Sequence, residues 1–187
     1  MNPSIKMPPQ VAWDSGSLSG APLMQKTTHL GDLNGIFADD EAWRGGDPAL
    51  AVYRVEMLDT PSGDGELYTG VTHLNPGRVG NEFFMTRGHF HARREQGEVY
   101  FGLRGEGLLL LQAENGQTRL ERVQPGSIHI IPGLTAHRLI NTGHDILSAL
   151  AVWPSIAGHD YAALSGGFAL RVTTDILKLM AKEVQNG

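Results

Sequence analysis

In Gly88-His89-Phe90-His91-Ala92-Arg93-Arg94-Glu95-Gln96-Gly97-Glu98-Val99-Tyr100, two histidines stand at alternate positions, and a glutamate opens an apolar run after the Gln96-Gly97 break. Alternate residues of a strand point to one face, so both imidazoles emerge together while Phe90 points away. Two glutamates are within reach. Glu95 lies in the polar run Arg93-Arg94-Glu95-Gln96, which reads as solvated loop, whereas Glu98 heads a new strand that can bring its carboxylate beside the imidazoles. Strand logic therefore favours Glu98. A third histidine, His137, follows Pro132-Gly133-Leu134-Thr135-Ala136 at the head of another strand. Four such groups converging in one small core are poorly explained by packing, because each desolvated polar group needs a partner. A divalent ion, ligated by imidazole and carboxylate at ~2.0–2.2 Å, supplies one. The expected metal ligands are His89, His91, Glu98 and His137.

On either side, short apolar stretches alternate with turn residues. Ala51–Leu58 and Glu66–Leu74 read as strands separated by the turn Pro61-Ser62-Gly63-Asp64-Gly65. Glu82–His91, Glu98–Leu103 and Gly107–Gln112 follow, and Asn115-Gly116 is a hairpin signal leading into Thr118–Val123. Ser127–Ile131, Ala136–Ile140 and Ile146–Trp153 complete the series. Strands this short and this evenly punctuated argue for a β-sandwich or barrel. Residues 1–50 read as an extension packed on that barrel, with a short helix around Met24–Leu30. Residues 51–165 form the barrel and 166–187 a helical tail, all within one structural domain. In the tail, Ile176, Leu177, Leu179, Met180 and Val184 approximate a helical stripe that Thr173, Thr174 or Asp175 can cap.

The run Leu108-Leu109-Leu110-Leu111 has no polar face, and Val99, Phe101 and Leu103 line the face opposite Glu98 and Tyr100. Strands apolar on both faces need covering on both sides. The expectation is a homodimer that buries the outer face, and sedimentation as a monomer at micromolar concentration contradicts it.

Composition narrows the classes of function. Fifteen Lys and Arg against twenty Asp and Glu leave a net charge of −5, which gives no footprint for nucleic acid or for an anionic membrane. There is no cysteine, so thiolate ligands, disulfides and cysteine nucleophiles are excluded. The start of the sequence carries no apolar signal core, and a cytoplasmic home fits. All four lysines, Lys6, Lys26, Lys178 and Lys182, sit near the ends. A cation serving an anion in the central region is therefore expected to be arginine.

The wider pattern Gly88-His89-x-His91, Glu98, then Gly126-x5-Pro132-x4-His137-x3-Asn141 resembles the paired motifs of the cupins. The resemblance implies an all-β fold, the cupin double-stranded β-helix or jelly-roll barrel, holding one metal ion on three histidines and one glutamate. Many cupins place that glutamate about four residues after the second histidine, a spacing that fits Glu95. Leu134 stands where many cupins have glycine.

A more specific likeness begins earlier. Thr72-His73-Leu74-Asn75-Pro76-Gly77-Arg78-Val79-Gly80-Asn81-Glu82-Phe83-Phe84-Met85-Thr86-Arg87-Gly88-His89-Phe90-His91, running on to Glu98-Val99-Tyr100, resembles the signature of the cupin-type glucose-6-phosphate isomerases. Ala157-Gly158-His159-Asp160-Tyr161 resembles a second block of that family, and the likeness spans roughly residues 50 to 165. Arg87 departs from it, standing where lysine is expected, which keeps the charge and changes the geometry of any phosphate contact.

The resemblance implies interconversion of glucose 6-phosphate and fructose 6-phosphate with one divalent ion per subunit, Fe, Mn, Ni or Zn. Moving a proton between C1 and C2 through a cis-enediolate requires a base and stabilisation of charge on two adjacent oxygens. The candidates for the base are Glu98, with His159 and Tyr161 as alternatives, and a hydride shift needs none. The phosphate contacts expected are Tyr53, Thr72, Thr86, Arg87, Gly88 and Tyr100. His73 is a further candidate for the pocket wall, and Glu82 is expected to orient a neighbour. His29 and His144 read as exposed and His129 as an ordinary strand histidine. Because cupins host many reactions, a metal-dependent dioxygenase or decarboxylase and a non-catalytic sugar-phosphate-binding protein are the competing readings.

Overall fold

The computed structural model describes residues 4–178. Among the described residues, thirteen strands account for most of the regular structure. Two short strands, β1 (Gln10–Val11) and β2 (Leu18–Ser19), pair as a hairpin before β3 (Leu23–His29), β4 (Ala51–Leu58) and β5 (Leu67–Leu74). A second short pair, β6 (Arg78–Val79) and β7 (Glu82–Phe83), precedes β8 (Glu98–Arg104), β9 (Gly107–Ala113) and β10 (Thr118–Val123). The last three are β11 (Ile128–Ile131), β12 (Thr135–Ile140) and β13 (Leu147–Pro154).

A six-stranded antiparallel sheet in the order β11-β8-β13-β5-β4-β3 faces a three-stranded sheet in the order β10-β9-β12. The two sheets close on each other as an all-β barrel around one core. In register, Tyr53 lies opposite Leu74, Val55 opposite Thr72, and Ala151 opposite both Gly70 and Tyr100. These residues share the inner face, since cross-strand partners point the same way. From the smaller sheet Leu109, Leu111, His137 and Leu139 meet them. All four are buried.

Three sequence expectations change. The segment expected as a helix at Met24–Leu30 is strand β3, paired along β4 at the edge of the large sheet. The threonines at 27 and 28 explain the outcome, because β-branched side chains lose rotamer freedom in a helix and fit a pleated strand. The expected strand Glu82–His91 is instead the two-residue β7 followed by single bridges, Met85 to Ile140 and His89 to His137. The leucine run needs no second copy. Leu109 and Leu111 face the barrel interior, while Leu108 and Leu110 share the outer face with Arg138 and Ile140. The chain itself covers that face with Phe168, Leu170 and Val172. An apolar face does remain open on the large sheet, where Ile128, Ile130 and Val99 lie exposed and Trp13 packs edge-on against Phe101.

At the tail, residues 174–178 are helical and the Thr173 hydroxyl faces the Ile176 N–H at 3.5 Å. The rest of the predicted helix lies outside the described residues.

Leu134, in the turn between β11 and β12, has φ +62° and a largely exposed side chain. A left-handed non-glycine residue costs roughly 1–2 kcal/mol, whereas glycine there adds only about 0.4–1 kcal/mol of unfolded-chain entropy to overcome. The strain outweighs the entropy. Leu134→Gly is therefore expected to stabilise the fold by about 0.5–1 kcal/mol, raising the unfolding midpoint by ~2 °C. A lower midpoint in calorimetry would show that the leucine side chain contributes more than its backbone costs.

Candidate active site

The ligand-type nitrogens and oxygens of His89, His91, Glu98 and His137 lie within 4.8 Å of one another. Three pieces of backbone bring them there: the segment 88–91, the head of β8 and β12. The peptide groups of His89 and His137 bridge each other, His89 N–H to His137 O at 3.3 Å and His137 N–H to His89 O at 3.1 Å. That bridge fixes two of the rings side by side, with centroids 4.5 Å apart. The His91 Nδ1 meets the Gln96 carbonyl at 2.9 Å, an acceptor only, so Nδ1 carries the proton and Nε2 keeps its lone pair. The Gln96-Gly97 break thus does two things: it starts β8 with Glu98 facing inward and it sets the tautomer of His91. Glu95, by contrast, is exposed and engages only its neighbour Gln96.

The electrostatics suit a bound cation. Burial, reinforced by the neighbouring imidazoles of His137, His159 and His91, holds His89 neutral far below the ordinary histidine range. Burial pushes the Glu98 carboxyl up, but the imidazoles of His137 and His91 beside it outweigh burial and hold the carboxyl below its usual value. Glu98 Oε2 faces His91 Nε2 at 3.2 Å and His137 Nε2 at 2.9 Å. The contact with His137 is too bent for a hydrogen bond, and both nitrogens of that buried ring are left without a partner. Ligand atoms at ~2.0–2.2 Å from a common centre stand at most about 4.4 Å apart, so closing around an ion takes a few tenths of an ångström. The donor set, three imidazoles and a carboxylate, fits a divalent transition-metal ion.

Glu98 Oε1 makes no hydrogen bond among the described residues and faces a cavity of about 420 Å³. One carboxylate oxygen is thus turned to the histidines and the other to the cavity. Thr72, Thr86, Arg87, Gly88 and Tyr100 line this cavity, as does Tyr53. Every phosphate contact expected from the sequence is therefore on its wall. His159 and Tyr161 are there too, His159 against His89 at 4.3 Å between ring centroids and Tyr161 at 5.7 Å. Their placement follows from alternation. Asp160 pairs with Phe90 through both peptide groups and with Arg94 at 2.6 Å, so its neighbours 159 and 161 turn to the opposite side. Burial, with Glu98 close by, keeps the Tyr100 phenol protonated well above its usual value, and burial beside Tyr53 does the same more mildly for Tyr161. Both stay donors. Thr86 Oγ1 accepts from the Leu139 N–H at 3.1 Å, which leaves the hydroxyl hydrogen to donate elsewhere.

His73 does not line the cavity. It alternates with Thr72 onto the outer face, where Nδ1 meets Ser148 Oγ at 2.9 Å beneath the N-terminal hairpin. Glu82 is buried and accepts from the Ala38 N–H and from Arg171, an orienting role. His129 is likewise buried and structural, held between Glu121 at 2.7 Å and Ser127 at 2.9 Å. The sequence reading missed Lys26. On β3, opposite Val55, it reaches the cavity from the segment expected as a helix, so the cations at the mouth are one lysine and one arginine rather than arginine alone. The threonines beside it were the available signal that this segment is a strand.

The family model for glucose-6-phosphate isomerase matches residues 27–185. The chain belongs to that family. Among its relatives is a glucose-6-phosphate isomerase of Thermococcus litoralis, 42% identical over 159 residues, covering 82% of this chain and 83% of that one. Another, from Pyrococcus horikoshii, is 40% identical over 160 residues, covering 83% and 82%. Among solved structures, an oxalate decarboxylase of Bacillus subtilis is similar with a TM-score of 0.45 and 16% identity, over 66% of this chain and 28% of that one. The blocks at 72–91 and 157–161, both within the matched residues, contribute to one cavity. Among the described residues no helix is long and apolar enough to cross a membrane.

Proposed function

We propose that this chain interconverts glucose 6-phosphate and fructose 6-phosphate at the centre formed by His89, His91, Glu98 and His137. The observation that carries the reading is the make-up of one cavity. His89, Glu98 and His137 of the four-residue cluster line it together with Thr86, Gly88, Tyr100 and the cations Lys26 and Arg87. Such a cavity suits a ligand that carries both vicinal oxygens and an anion. A divalent ion bound by the four residues would polarise the sugar carbonyl and favour the negative charge of an enediolate.

The remaining work falls to the chain. Glu98 Oε1, ionised and turned to the cavity, is the group we assign to move the proton between C1 and C2. His159, its basicity lowered by burial and by the nearby His91, His137 and Lys26, is suited to hydrogen-bond a sugar hydroxyl. Tyr161 stacks parallel to it at 5.7 Å, with the Arg87 guanidinium over its ring. Tyr53, Thr72 and Tyr100 supply further hydroxyls for the chain of the sugar and its phosphate. A homodimer formed through Ile128, Ile130 and Val99, and a cytoplasmic setting, belong to the same reading.

Deuterium exchange tests it. Fructose 6-phosphate incubated with the enzyme in deuterium oxide should yield glucose 6-phosphate carrying solvent deuterium at C2. Product without deuterium would remove the enediolate and Glu98 as base, and no product would remove the isomerase reading.

A further inference from the structure

Arg138 follows the ligand His137 on β12 and points the other way, out of the barrel. It is buried, 5% exposed, and its guanidinium carbon lies over the Phe168 ring, 4.3 Å from the centroid. Among the described residues no carboxylate forms an ion pair with it. The nearby Glu82 is committed to Arg171 and to the Ala38 N–H. Its hydrogen bonds go instead to Met85 Sδ at 3.0 Å and to the carbonyl of Arg87, while Nε has no partner. A buried cation without a counter-ion is costly and calls for an explanation.

The bond to the Arg87 carbonyl supplies one. In a trans peptide the C=O and the next N–H point in opposite directions. The carbonyl of the Arg87–Gly88 peptide is drawn to the outer side of β12, and Gly88 lines the cavity on the inner side. The Gly88 N–H therefore points to the cavity, and among the described residues it makes no hydrogen bond. The backbone accepts this turn only at glycine. Gly88 has φ +72°, and a Cβ there would meet the Phe168 ring at 2.6 Å and Arg138 at 3.0 Å.

We infer that Arg138 is a positioning residue for the phosphate of the substrate. Its guanidinium fixes the Arg87–Gly88 peptide from behind and adds a positive charge to the cavity-facing Gly88 N–H. That the anion is a sugar phosphate rests on the isomerase reading, while the anion site itself rests on the geometry of Arg138 and Gly88. A cation hydrogen-bonded to a carbonyl polarises that peptide, so its N–H becomes a stronger donor to a phosphate oxygen. Arg138 thereby places charge at the phosphate without occupying the cavity.

The test uses the zinc-loaded full chain with two probes, inorganic phosphate and fructose 6-phosphate. In wild type, inorganic phosphate should move the Gly88 amide resonance downfield; an unmoved Gly88 resonance with phosphate bound elsewhere, on the ion included, overturns the proposal. Arg138→Gln should weaken phosphate inhibition and raise the KM for fructose 6-phosphate about tenfold, with kcat within about threefold. Equal KM, or a fall in kcat alone, means that Arg138 is merely structural. Arg138→Lys keeps the charge but loses the fork and the stacking on Phe168, and should give a KM between those of wild type and the glutamine variant, with kcat within about threefold. It decides the matter should the glutamine variant not fold, since a tenfold loss in the lysine variant counts against a charge effect. A chain that shows the Gly88 shift without isomerising would keep this inference and lose the isomerase reading. A chain that isomerises with an Arg138→Gln KM equal to wild type would do the reverse.

Discussion

Glu98→Gln is expected to lower kcat for fructose 6-phosphate about 10³-fold, with KM within about threefold. Two features make this the most damaging single change. The carboxylate supplies one of four converging ligand groups through Oε2, and its Oε1 is turned to the cavity, where the sugar carbons must lie. Glutamine keeps the size and one oxygen but cannot take a proton. Turnover should be expressed per bound ion, with metal content read on the same sample, so that loss of the base is separated from loss of the ligand. Turnover per ion within tenfold of wild type would assign the proton transfer elsewhere, His159 and Tyr161 being the nearest alternatives.

Stripping the bound ion with a chelator should lower the thermal midpoint by about 10 °C, and adding the ion back should restore it. The four groups are closely packed, and both His137 nitrogens are buried without a partner. Without a cation that arrangement costs desolvation and gains little. An ion present at 1,000 times its Kd adds roughly 4 kcal/mol, and each kcal/mol moves the midpoint of a chain this size by roughly 2–4 °C. An unchanged midpoint would mean that the four residues merely pack. Because three of the groups bind only as neutral imidazoles, the stabilisation should weaken as protons begin to compete on acidification.

The parts of this architecture visible in the sequence are those governed by local rules. Glycine and proline punctuation marks β4, β10 and β12 to within a residue, and the His-x-His alternation places two rings on one face before any fold is known. Choosing Glu98 over Glu95 also follows from a local contrast, a strand head against a charged loop. The edge strand β3 escaped because its exposed positions follow no period of two, and with it went Lys26. The cover over Leu108 and Leu110 escaped for a different reason. Phe168, Leu170 and Val172 lie in a short non-helical segment far along the chain, and only tertiary structure brings them back. Arg138 was hidden by its neighbour: sequence marks His137, and alternation sends the next residue to the other face. Its meaning depends on a carbonyl 51 residues away.

The central claim is that one ion, held by His89, His91, Glu98 and His137, enables isomerisation. The direct measurement is the rate of glucose 6-phosphate formation from fructose 6-phosphate on chelator-stripped protein titrated separately with Fe²⁺, Mn²⁺, Ni²⁺ and Zn²⁺. The expected result is no rate at zero metal and, for at least one ion, a linear rise that stops at one ion per chain. Full turnover by the stripped protein, or none with any of the four ions, would contradict it.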